Sequence, residues 1–211
     1  MIINNDSIKN FSFTGRDSKV PKSLIIYITI FIVIHGVMIA LSKESVPFSI
    51  LITLPFLLLF LSVYFYANKK SKQITDGYNF LVLSVGGFCL SITDLVASLA
   101  LCYEKTNNLK LLLVLLFIYI LSSVVFYLSL FCRMNKFEVK KRSKSVAGPA
   151  SGIAGLTSVV TSAISLKIMN NIDQLRLSMF FSLALLIFSV IWLFPTCLMI
   201  KFVYLRKNGI I

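Results

Sequence analysis

The sequence predicts an all-α polytopic membrane protein with six transmembrane helices and both termini in the cytoplasm. Three observations carry that prediction. Of the 211 residues, 57% are hydrophobic, against about 45–50% in a soluble domain. They gather in nearly uncharged blocks of about 20 residues, enough to cross roughly 30 Å of hydrocarbon at 1.5 Å per residue. The basic residues behind the net charge of +13 sit beside those blocks rather than inside them. Backbone groups in lipid must be paired, so each block is a helix or part of a closed barrel. Continuous apolar runs, without the in–out alternation of barrel strands, select helices.

Residues 1–22, "MIINNDSIKNFSFTGRDSKVPK", are polar and basic and form an N-terminal tail. The first span, 23–41, follows as a signal anchor that is retained. The second span is 46–67, the third 79–103, the fourth 111–132 and the last 177–200, with 201–211 as a C-terminal tail. Pro47 marks a helix start, and Pro55 and Pro195 mark kinks. Trp192 and tyrosines such as Tyr64, Tyr66, Tyr103 and Tyr204 are expected near span ends as interface anchors.

The remaining span is 146–166, within "VAGPASGIAGLTSVVTSAISLK", and it is poor in Leu and Phe. Read by face, it becomes a helix. Gly155, Ser158, Ser162 and their neighbours Ser151 and Ser165 share one side, and Ile153, Leu156, Val160 and Ile164 share the other. Gly148 and Gly152 make a G-x-x-x-G, the small-residue spacing that lets membrane helices approach closely. The alternative is five spans with 146–166 re-entrant or cytoplasmic. Basic residues flanking the spans hold the N-terminus inside in both cases. Six spans place Lys43, Lys105, Lys110, Lys167 and Arg176 outside and every other Lys and Arg inside.

The third span carries the chemistry. Ser84, Gly87, Ser91, Asp94 and Ser98 follow a 3-4-3-4 spacing and form one stripe, opposite Leu81, Val85, Phe88, Ile92, Val96 and Leu99. Asp94 is the acid deep inside a span, and an intramembrane carboxylate is costly enough to be a functional candidate by default. Its partner follows from depth. Asp94 lies nine residues from Tyr103 and His35 six from Leu41, so they differ in depth by about 4–5 Å. Thr53 and Tyr119 lie at comparable depth. The expected intramembrane polar site is therefore His35, Thr53, Asp94 and Tyr119, and the expected helix-packing residues are Ser84, Gly87, Ser91, Ser98, Gly148, Gly152, Gly155, Ser158 and Ser162. A buried Asp can also be structural, holding its proton and donating one hydrogen bond. The functional alternatives are carriage of a proton or cation, and contact with a partner.

Several classes are excluded or disfavoured. Cys89, Cys102, Cys132 and Cys197 lie in or at the edges of apolar blocks with no C-x-x-C pair, and His35 is the single histidine; no metal site and no cofactor are expected. No H-e-x-x-H or P-loop is present, and one deep Asp cannot supply a two-carboxylate protease. The protein is expected not to be an enzyme. Its expected partners are membrane lipid and a membrane-protein partner or a second copy of the chain, without nucleic acid, since topogenic charge accounts for the basicity. The expected setting is a bacterial cytoplasmic membrane. Two functions fit: a binding or accessory protein acting through helix–helix contacts, such as a toxin-immunity or secretion-associated component, or a small proton- or cation-coupled transporter or channel centred on Asp94 and His35.

Overall fold

A computed structural model describes residues 15–43, 46–71, 74–134 and 174–211. All regular structure among them is α-helical. The elements are α1 (Lys22–Lys43), α2 (Val46–Lys70), α3 (Tyr78–Thr106), α4 (Leu109–Met134), α5 (Gln174–Ile191), α6 (Leu193–Thr196) and α7 (Leu198–Lys207). Five stretches are long and apolar enough to cross a membrane: Lys22–Ala40, Pro47–Lys70, Tyr78–Glu104, Leu109–Leu130 and Ser178–Lys207, the last made of α5 to α7 in succession. This is the architecture of a multipass membrane protein. The sixth predicted span, 146–166, lies outside the described residues, and with it Gly148, Gly152, Gly155, Ser158 and Ser162.

α3 is the central helix. It packs against α1, α2 and the whole run from α5 to α7, while α4 touches α3 and α5 from the periphery. Burial follows that order: 67% of the apolar window of α3 is buried, against 11% for α2 and for α4. On α3, Leu81, Val85, Phe88, Ile92, Val96 and Leu99 are the less buried face, and the small and polar residues point inward. Lipid lacks the drive that water gives to apolar contact, so close approach of backbones does the packing.

The Gly86–Gly87 pair shows how. A Cβ on Gly86 would stand 2.9 Å from Ile28 Cδ1 of α1 and 3.0 Å from the Phe60 ring of α2. A Cβ on Gly87 would stand 2.8 Å from the Trp192 carbonyl oxygen and 2.8 Å from Pro195 Cβ. Consecutive glycines therefore seat helices on two different sides of α3.

The short connections explain themselves locally. α3 ends on Asn107 in the left-handed conformation (φ 45°), whose N–H bonds the Tyr103 carbonyl at 2.8 Å. Asn108 then caps α4, its Oδ1 accepting from the N–H of Lys110 and Leu111. These adjacent asparagines stop one helix and start the next. At the opposite end of the bundle, the N-terminal segment is tied down by Asn79, whose Nδ2 donates to the carbonyls of Gly15 and Ser18, both at 2.9 Å.

α2 runs through Pro55 as one helix, and the last span is interrupted at Trp192 and Cys197, around Pro195. Pro195 has no N–H to give the preceding turn, and Trp192 sits at this break, packed against the α1–α3 core, rather than at a span end. The residues expected as a C-terminal tail continue as α7. Lys201, Phe202 and Leu205 are buried there, with Lys201 Nζ 4.9 Å from the centre of the Phe80 ring.

Candidate functional site

His35 and Asp94 meet between α1 and α3. His35 Nε2 lies 2.6 Å from Asp94 Oδ1, and their side chains are 6% and 1% exposed. The contact is an ion-pair approach without the alignment of a hydrogen bond. Neither Asp94 carboxylate oxygen has an aligned hydrogen-bond partner among the described residues. The neighbouring glycine and threonine shape this corner. A Cβ on Gly36 would stand 3.0 Å from Thr53 Oγ1 of α2, and Ser49 Oγ donates to the Gly36 carbonyl. α2 is thereby held against the turn of α1 that carries His35. Phe31, one turn earlier, places its ring centre 6.1 Å from the imidazole.

A second hydroxyl completes the surroundings of the ring. Thr93 Oγ1 lies 3.5 Å from His35 Nδ1. It is fully buried, and sequence spacing does not single it out, since Thr93 is one residue away from the stripe that contains Asp94.

The four residues expected to form one polar layer divide. His35 and Asp94 are in contact. Thr53 packs on Gly36, the residue after His35, and its Oγ1 donates to the Ser49 carbonyl of its own helix at 2.8 Å. Tyr119 belongs elsewhere: its hydroxyl is 2.9 Å from Ser91 Oγ, at the seam of α3 with α5. α3 thus presents Asp94 to α1 and its serines to the last span.

That second seam is regular. Ser98 Oγ donates to the Ser182 carbonyl at 2.6 Å, and Ser182 Oγ donates back to the Ser98 carbonyl at 2.8 Å. Ser91 and Ser189 repeat the exchange at 2.8 and 2.7 Å. Ser84 Oγ donates to the Thr196 carbonyl at 3.0 Å. Each step of seven residues along α3 is matched by a step of seven back along the last span, the repeat of an antiparallel left-handed coil. α4 joins through two tyrosines. Tyr119 reaches Ser91, and Tyr127, absent from the expected site, lies 2.6 Å from Thr196 Oγ1. The serine stripe of the last span therefore meets α3.

Comparison with known protein families, with curated proteins and with solved structures finds no match. The chemistry has to be judged from the residues themselves. Among the described residues, no group of three His, Cys, Asp or Glu is placed to hold a metal ion. The serine seam is fully paired and packed, which suits a structural joint. The His35–Asp94 pair differs in kind, because both members can take or lose a proton. An unpaired charge at this depth is costly. Two states of the pair are uncharged overall: imidazolium with carboxylate, and neutral imidazole with carboxylic acid. They differ in which side of the contact carries one proton.

Proposed function

We propose that the chain is a non-enzymatic multipass membrane protein that binds and releases a proton at His35–Asp94, as a small proton- or cation-coupled transporter or channel does. One observation supports this most directly: two titratable groups on different helices lie 2.6 Å apart in the buried middle of the bundle, and neither carboxylate oxygen has an aligned hydrogen bond among the described residues. A structural joint alone would be served by hydroxyls, as the serine seam is. The test is flux. Purified protein in liposomes loaded with a pH-sensitive dye should move protons under an imposed gradient, and Asp94→Asn should abolish the movement. Equal flux in the variant, or none in the wild type under any ion gradient, contradicts the proposal.

A second function is supported by the outer helices. α2 and α4 leave most of their length apolar and uncovered among the described residues, as suits an accessory protein that binds a membrane partner through helix faces. Recovery of a stoichiometric membrane partner, together with an absence of flux, would favour it.

The proposed topology has six spans, with 146–166 crossing the bilayer, both termini cytoplasmic and a bacterial cytoplasmic membrane as the setting. The density of Lys and Arg around residues 1–22, 69–72 and 133–144 supports an inside location for those segments. A reporter fused after Ile211 and found outside the cytoplasm would remove the sixth span.

A further inference from the structure

The far side of the imidazole determines how the proton between His35 and Asp94 is used. His35 Nδ1 faces Thr93 Oγ1 at 3.5 Å. The Thr93 hydroxyl is already committed as a donor: it bonds the carbonyls of Cys89 at 3.0 Å and Leu90 at 3.1 Å, four and three residues back on its own helix. This back-bonding is a favoured arrangement for a helical threonine, and the β-branch restricts rotation away from it. A hydroxyl whose hydrogen is turned to the backbone offers only lone pairs to the ring. Nδ1 therefore meets an acceptor, in a place closed to solvent.

We infer that Thr93 is a positioning residue that keeps a hydrogen on His35 Nδ1, so that Nε2 is the nitrogen that trades a proton with Asp94 Oδ1. The inference rests on the proton-site function proposed above and adds the assignment of each ring nitrogen. The transfer is balanced. The proton leaves Nε2 for Oδ1, the imidazolium becomes a neutral ring with hydrogen on Nδ1, and the carboxylate becomes a carboxylic acid. The pair carries no net charge before or after, which is what a low-dielectric site demands. Partners beyond the reacting atoms commonly fix a histidine's tautomer in this way.

The chain has one histidine, so labelling with ¹⁵N-histidine gives one Nδ1 and one Nε2 signal from the full-length protein in lipid bilayers. Solid-state NMR of the wild type should show hydrogen on Nδ1. Thr93→Ser keeps the hydroxyl and should keep that signature. Thr93→Val keeps the shape but removes the acceptor, and should shift a measurable fraction of the ring to hydrogen on Nε2 alone. A bare Nδ1 in the wild type, or a valine variant with an unaltered Nδ1, overturns the inference. Should the valine variant fail to fold, the wild-type and serine spectra still decide. Absence of proton flux would overturn the proposed function and leave the nitrogen assignment standing; a bare Nδ1 would overturn the assignment alone.

Discussion

Ser91 of α3 and Ser189 of α5 exchange hydrogen bonds, each hydroxyl donating to the other's carbonyl oxygen, at 2.8 and 2.7 Å. Ser98 and Ser182 do the same one coil repeat away. Each residue is both donor and acceptor for the same partner, so the two hydroxyls are energetically coupled. Removing either one should destabilise the bundle by about 0.6 kcal/mol, and by up to about 1.7 kcal/mol where the freed carbonyl finds no substitute. A double-mutant cycle of Ser91→Ala and Ser189→Ala, read by denaturant unfolding in detergent, should give a non-zero coupling energy. Strict additivity would mean that the two hydroxyls act separately.

The two central glycines should not be equivalent. The Cβ of Gly86→Ala meets the far ends of the Ile28 and Phe60 side chains, which can shift. The Cβ of Gly87→Ala meets the Trp192 carbonyl and the Pro195 ring, which cannot move without the helix. Overpacking costs about 1–3 kcal/mol, and Gly87→Ala should lie at the upper end with Gly86→Ala well below it. Thermal unfolding of the two variants checks the order, and a reversed order would contradict the packing described.

Asn79 holds the N-terminal segment through both Nδ2 hydrogen bonds. Asn79→Ala should free that segment, leaving the helices in place. Limited trypsin digestion of the variant should cut after Arg16 and Lys19 several-fold faster than in wild type. Unchanged cleavage would mean that other contacts hold the segment.

Five spans were legible because each is a long, nearly uncharged block, and helical rise translates sequence position into depth. That same rise brought His35 and Asp94 to similar depth. What the stripe on α3 meets was not legible. Spacing says which residues share a face, yet Ser91 and Asp94 are about 60° apart on a 3.6-residue helix, wide enough for one to serve α5 and the other α1. Tyr119 was drawn to Asp94 by depth alone; the angular position of α4 around α3 puts it on Ser91 instead. Tyr127, eight residues on, lies about 80° round α4 from Tyr119, so spacing gave only a weak signal for it. Thr93 gave none, because its role depends on where its hydroxyl hydrogen points.

Removing one member of the buried pair should hurt more than removing both. His35→Ala leaves a carboxyl buried without its counterpart, and breaking a buried pair costs about 3–5 kcal/mol, less if the acid keeps its proton. His35→Leu combined with Asp94→Leu replaces the pair by apolar volume and should fold at least as well as the single His35→Ala variant. Unfolding in detergent provides the comparison. Additive losses in the double variant would show that the residues do not act as a pair.

Infrared difference spectroscopy of the protein in bilayers, before and after a step in pH, observes the proton itself. A carboxylic acid C=O band that appears or vanishes with the step, is absent from Asp94→Asn and is displaced by His35→Ala, is the predicted result. A difference spectrum identical in wild type and Asp94→Asn would contradict the claim that His35–Asp94 binds and releases a proton.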